Sequence, residues 1–123
     1  MSGACHRSSL WLWKSDKEYV HFSQNIGETN WQYNKDGGTG IGTTVWNNAD
    51  QGSHKMKIWY KGSVDRLYVD NIQRGGDIAT SGWNSGIYVM LTGQARAAGN
   101  SVNVTFDDLK VTNGGWADWA ERN

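Results

Sequence analysis

The stretch HKMKIWYKGSVDRLYVDN, residues 54 to 71, decides the fold class. Met56, Ile58 and Tyr60 recur at every second position, and so do Leu67 and Val69 beyond Gly62-Ser63, while Lys55, Lys57, Arg66 and Asp70 occupy the alternate positions. A period of two is the strand period, because successive side chains leave a strand on opposite faces. Two strands, each with one apolar and one wet face and a glycine turn between them, make a hairpin of an antiparallel sheet. A sheet with a single apolar face buries it against a second sheet.

The same pattern extends outward from the hairpin. Runs of period two bounded by Gly, Asn or Asp recur about every ten positions, and no helical periodicity competes with them. Strands are expected near 8–14, 18–24, 29–34, 42–47, 54–61, 64–70, 86–92 and 101–112, with turns at Ser15-Asp16, Asn25 to Gly27, Asp36 to Gly38, Asn47 to Ser53, Gly62-Ser63 and Ala97 to Asn100. Gly75 to Ser85 reads as an irregular segment, and residues 1–8 and 114–123 read as peripheral tails of one domain. The chain has 123 residues, 16 of them glycine, 8 tryptophan and none proline, a composition suited to a turn-rich all-β antiparallel sandwich with one modest core.

In the last of these strands Val102, Val104 and Phe106 fall on even positions but Leu109 and Val111 on odd ones. Bringing both sets to one face needs an extra residue at Asp107-Asp108, most simply a β-bulge. A carboxylate turned outward there is a candidate calcium ligand, so Asp107 and Asp108 are the metal candidates, against the plainer reading of an exposed acidic pair.

Charge excludes some classes of partner. Twelve basic and twelve acidic residues give a net charge of zero, with no run of like sign, so neither nucleic acid nor an anionic membrane surface is an expected partner. The apolar runs are about five residues long, far below the roughly 20 that a membrane-spanning helix needs. Cys5 is the single cysteine, which leaves no intrachain disulfide and no multi-cysteine metal site. The first nine residues lack the apolar core of a signal peptide.

The succession from His54 to Tyr60, Gly62, Leu67 to Asp70, Gly86 to Gly93 and Phe106 to Val111, preceded by LWLWKSDKEYVHF, resembles the concanavalin A-like lectin/glucanase sandwiches, laminin-G-like jelly rolls. The resemblance covers about four fifths of the chain. It implies a jelly-roll fold, an extracellular or cell-surface setting and a carbohydrate ligand. Family members carry further strands before the equivalent of Leu10, so a minimal or truncated sandwich is expected here, with exposed edges covered by a second copy in a homo-oligomer.

The resemblance does not extend to catalysis. Glucanases of this type set three acidic residues on one strand as Glu-x-Asp-x-Glu, whereas Glu18, Glu28 and Glu121 are each isolated here. No Gly-x-Ser-x-Gly elbow is present, and His6, His21 and His54 lack ligand spacing. The glycine-rich DGGTGIG, residues 36 to 42, lacks the Lys-Ser/Thr of a phosphate loop and reads as a hairpin loop. His54 is expected to open a strand and hydrogen-bond across the sheet.

The aromatic residues remain. Trp11 and Trp13 alternate with Leu10 and Leu12, and Tyr19 and His21 with Val20 and Phe22; Trp31, Tyr33, Trp46 and Trp59 have polar neighbours such as Gln32, Asn34 and Asn47. Aromatic rings stack on the apolar faces of sugars while amides and hydroxyls bind their edges. The expected ligand set is Trp11, Trp13, Tyr19, His21, Trp31, Gln32, Trp46 and Asn47, in a non-catalytic carbohydrate-binding module. Two alternatives stand beside it: a self-associating sandwich whose aromatic face is a subunit interface, and a glycoside hydrolase-like fragment.

Overall fold

The computed structural model describes residues 6–26, 30–37, 42–47, 52–80, 86–95, 99 and 104–111. Every regular element among them is a strand: β1 (His6–Ser15), β2 (Glu18–Ile26), β3 (Asn30–Lys35), β4 (Thr43–Trp46), β5 (Met56–Lys61), β6 (Val64–Val69), β7 (Ile72–Ala79) and β8 (Tyr88–Ala95). A five-stranded antiparallel sheet runs β4-β3-β2-β1-β8 and a three-stranded one β5-β6-β7, an arrangement consistent with a β-sandwich. The chain lays down β1 to β4 as a meander, crosses to β5 to β7, and returns with β8 beside β1.

The hairpin expected at 54–71 is β5 and β6, with Ile58 opposite Leu67 and Met56 opposite Val69. Gly62 takes the turn at φ 63°, a left-handed conformation that costs glycine nothing. The inward set packs against the large sheet: Leu67, Val69 and Ile78 from one side meet Val20, Phe22 and Trp31 from the other. Phe22 and Trp31 meet tilted, their ring centroids 5.7 Å apart. Each such buried side chain contributes roughly 1.5–3 kcal/mol.

The outcome departs from expectation in three places. β1 begins at His6, inside the stretch expected to be a peripheral tail. β7 runs through Gly75 and Gly76, where an irregular segment was expected from Gly75 onward. Its two glycines and its polar Gln73-Arg74 hide the alternation, and a register shift between Asp65 and Leu67 breaks it further. Conversely, residues 104–111 join neither sheet. Asp108 there has φ 54°, the left-handed turn that a bulge would use, without a partner strand to make it one.

The sheets are offset. β4 lies against β7 and β1 against β5, so β8, one strand beyond β1, overhangs the smaller sheet.

Candidate functional site

Register alone builds the outer face of the large sheet. Because Leu12 pairs with Val20 and Leu10 with Phe22, and these face the core, the intervening residues of β1 and β2 face away from it. Four rows result across neighbouring strands: Tyr19, Trp13 and Tyr88; then Asn34, His21, Trp11 and Met90; then Gln32, Ser23, Ser9 and Thr92; then Asn30, Asn25, Arg7 and Gln94. The face grades from aromatic at one end to polar at the other.

The aromatic end is held in fixed geometry. Trp11 stacks on the His21 imidazole at 3.8 Å and 11°, and its indole N–H donates to Thr92 Oγ1 at 2.8 Å, so the ring is fixed from both flanking strands. Tyr19 meets Trp11 at 5.6 Å, and Tyr88 meets Trp13 at 6.2 Å. Tyr88 is 63% exposed, which leaves its ring open to a ligand.

The polar end is a chain of amides and hydroxyls. Ser23 Oγ donates to Asn25 Oδ1 (3.1 Å), Asn25 Nδ2 to Asn30 Oδ1 (3.0 Å) and Asn30 Nδ2 to Thr44 Oγ1 (3.2 Å). Ser9, His21, Ser23, Asn25 and Gln32 are buried although they lie on the outer side of the sheet.

His21 Nε2 and Ser9 Oγ are 2.7 Å apart, the spacing of a nucleophile and its base. Two features make this pair unfit for that work. Burial, with Arg7 repelling the added charge, holds the imidazole down to about 4, too low for an effective base near neutrality. Ser9 is also fully buried, so no substrate reaches its hydroxyl. The pair is a support beneath Trp11.

Of the eight residues expected to bind ligand, five share this outer face: Trp11, Trp13, Tyr19, His21 and Gln32. Trp31 does not join them. Gln24 pairs with Trp31 and Phe22 with Tyr33, so odd positions of β3 lie on the core face of the sheet, and Trp31 is fully buried there. Trp46 stacks against Trp31 at 6.3 Å, and the Arg74 guanidinium lies over the Trp46 ring, 3.8 Å from its centroid. Asn47 is exposed just after β4. Trp59 belongs to the other sheet, under the Arg66 guanidinium at 4.9 Å. The single aromatic face drawn from all these strands is therefore corrected to a smaller one. Its unforeseen members, Ser9, Ser23, Asn25, Tyr88 and Thr92, follow from the parity of β1 and β2 once β8 is known to pair with β1.

Asp107 and Asp108 are exposed, and Asp107 Oδ1 accepts the amide of Asp108 at 2.9 Å. Among the described residues no group of three or more His, Cys, Asp or Glu is placed to hold a metal ion. Two adjacent carboxylates fall short of the six to eight oxygens that calcium takes.

Other ionisable groups lie off this face. His54 Nδ1 is 2.7 Å from Asp70 Oδ2, and Asp70 Oδ1 accepts the Lys55 amide, so His54 links the strand ends as a structural residue would. Asp65 faces the core from β6, across from Tyr60 and Ile78, and neither carboxylate oxygen has a hydrogen-bond partner among the described residues. Its burial, reinforced by Asp36 and opposed by Lys35, pushes it up to about 7. Lys35 Nζ donates to the Ala79 carbonyl, joining the end of β3 to the other sheet.

Neither a family model, nor a curated protein, nor a solved structure matches the chain.

Proposed function

We propose that the chain is a non-catalytic carbohydrate-binding module with a concanavalin A-like jelly-roll fold, and that its ligand, a poly- or oligosaccharide, binds the outer face of the five-stranded sheet. One observation carries this reading: the outer face sets Trp13, Tyr88, Trp11 and Tyr19 on one surface with the part-exposed amides of Asn34 and Asn30 and the exposed Thr44, the last two joined by a hydrogen bond. Rings that stack on a pyranose beside groups that bind its hydroxyls form a mixed site of the kind sugars use. The fixed Trp11 ring lowers the ordering cost of binding. The carboxylate pattern of sandwich glucanases is absent from the sequence, which favours binding over hydrolysis. The setting inferred from the resemblance is extracellular or cell-surface.

The test is titration of the chain with a panel of soluble neutral and acidic polysaccharides, in calcium and in chelator. Trp13→Ala and Tyr88→Ala should each weaken binding roughly tenfold, equivalent to about 1.4 kcal/mol, with the far-UV spectrum unchanged. Unchanged affinity in both folded variants would remove this face as the site. Turnover of any member of the panel would replace binding by hydrolysis as the activity.

A further inference from the structure

Residues 104–111 carry the sequence pattern of a strand and occupy no sheet. Their backbone makes no backbone–backbone hydrogen bond among the described residues. Phe106, Leu109 and Val111 are 37%, 58% and 69% exposed, a concentration of large apolar side chains on so short a segment. Asp108, at φ 54°, supplies the local turn that shifts the alternation by one residue, so that Val104, Phe106, Leu109 and Val111 can be brought to one face when the segment is extended. Thr105, Asp107 and Lys110 then fall on the other. Such a segment has the two-faced character of an edge strand without its sheet.

The molecule also holds the complementary half. β8 pairs with β1 along one side, and no described strand lies along its other side. It is eight residues long. Val89 and Leu91 pair with Leu12 and Leu10, on the core-facing side, while Tyr88, Met90 and Thr92 face out. A strand with one apolar and one polar face continues both sides of that edge. Extended segments add to free edges in this way: main-chain hydrogen bonds supply affinity and alternate side chains supply specificity. An edge that no described strand covers, in a chain that also carries an exposed apolar segment, is a pairing seldom left unused.

We propose that residues 104–111 are an exchanged strand that adds to the free edge of β8 in a second copy of this chain, the two copies closing a reciprocal dimer. The second copy is the occupant because each chain carries both halves and, among the described residues, does not pair them. The segment makes no ladder with its own β8, although only residues 96–103 separate the two. Reciprocal exchange about a two-fold axis uses both segments and both edges, so assembly stops at two. A strand added there would extend the outer face beside Tyr88, but the proposal does not depend on the carbohydrate reading.

Sedimentation equilibrium of the full chain over a wide concentration range should give twice the chain mass at the upper end. The double variant Thr105→Pro, Leu109→Lys should sediment as a monomer that still unfolds in one cooperative transition, because the segment contributes no ladder to either sheet of a single chain. A second measurement fixes the partner. In a Cys5→Ser background, Thr105→Cys chains mixed with Gln94→Cys, Met90→Cys or Tyr88→Cys chains should form an interchain disulfide with at least one of the three. A monomer at every concentration, a dimer indifferent to the double variant, or an intrachain disulfide when both cysteines sit on one chain would each overturn the proposal.

Discussion

Asp65 is a carboxyl group held in the core with no hydrogen bond to either oxygen among the described residues, so its ionised form is the costly one. Its folded value of about 7 lies above the ordinary 3.8, so the folded state holds a proton that the unfolded chain has released. The stability this lends is complete below about pH 4, declines as pH rises, and is gone above about pH 7. Asp65→Asn removes the ionisation. Its stability relative to the parent, measured by urea unfolding, should therefore be more favourable at pH 8 than at pH 4, by up to roughly 4 kcal/mol. Comparing the two pH values cancels the cost of burying the amide itself. Asp65 does not stand out in the sequence although it shares the parity of Leu67 and Val69, because an isolated aspartate beside a turn does not announce burial. His54 lies two residues before β5 rather than opening it, and the cross-sheet hydrogen bond expected of it is made to Asp70, a partner the pattern did not name.

At the level of single strands, alternation succeeded where each strand has one wet and one dry face and failed elsewhere. In β5 and β6 the apolar residues Met56, Ile58, Leu67 and Val69 keep the period of two and were identifiable as inward, whereas Trp59 and Tyr68 are buried on the opposite face. β7 escaped because its register with β6 slips and because Gly75 and Gly76 contribute no side chain to the pattern. Gly75 is there for a packing reason: it has φ +73°, and a Cβ on it would lie 2.9 Å from Val45 Cγ1 on β4. Gly75→Ala therefore meets both a disfavoured backbone conformation and an overpacked contact where β7 meets β4. A loss of about 1–3 kcal/mol is expected by thermal or denaturant unfolding, against little change for Gly76→Ala, whose Cβ would meet nothing within 4 Å. The segment 104–111 shows the opposite failure, for a strand pattern states only that a chain can pair, and pairing needs a neighbour.

Across the whole molecule, two buried groups titrate in opposite senses over the same interval. His21 is held near 4, below the ordinary 6.5, so its contribution is present above about pH 6.5 and lost as pH falls towards 4. Asp65 loses its contribution as pH rises through much of that range. Each proton corresponds to a slope of about 1.4 kcal/mol per pH unit, of opposite sign for the two groups. Between about pH 4.5 and 6 the two contributions oppose each other in a urea-unfolding profile, so each partly hides the other. Asp65→Asn should expose a rise with pH in this window and His21→Gln a fall; a steep parent profile, unaltered by either change, would refute the compensation. The candidate site was half legible at this scale. Parity fixed which residues of β1 and β2 leave the core, but the β2–β3 register that turns Trp31 inward depends on where a hairpin closes, and composition does not specify that. The position of β1 has one more consequence. It lies between β2, its neighbour in the chain, and β8, so that Trp11 reaches Thr92 across 81 positions. The β1–β2 hairpin can form early from local contacts, but the large sheet closes only when β8 arrives after both meanders. Until then β1 presents an unprotected edge lined by its own leucines and tryptophans, and the slow step of folding is also the one most exposed to aggregation.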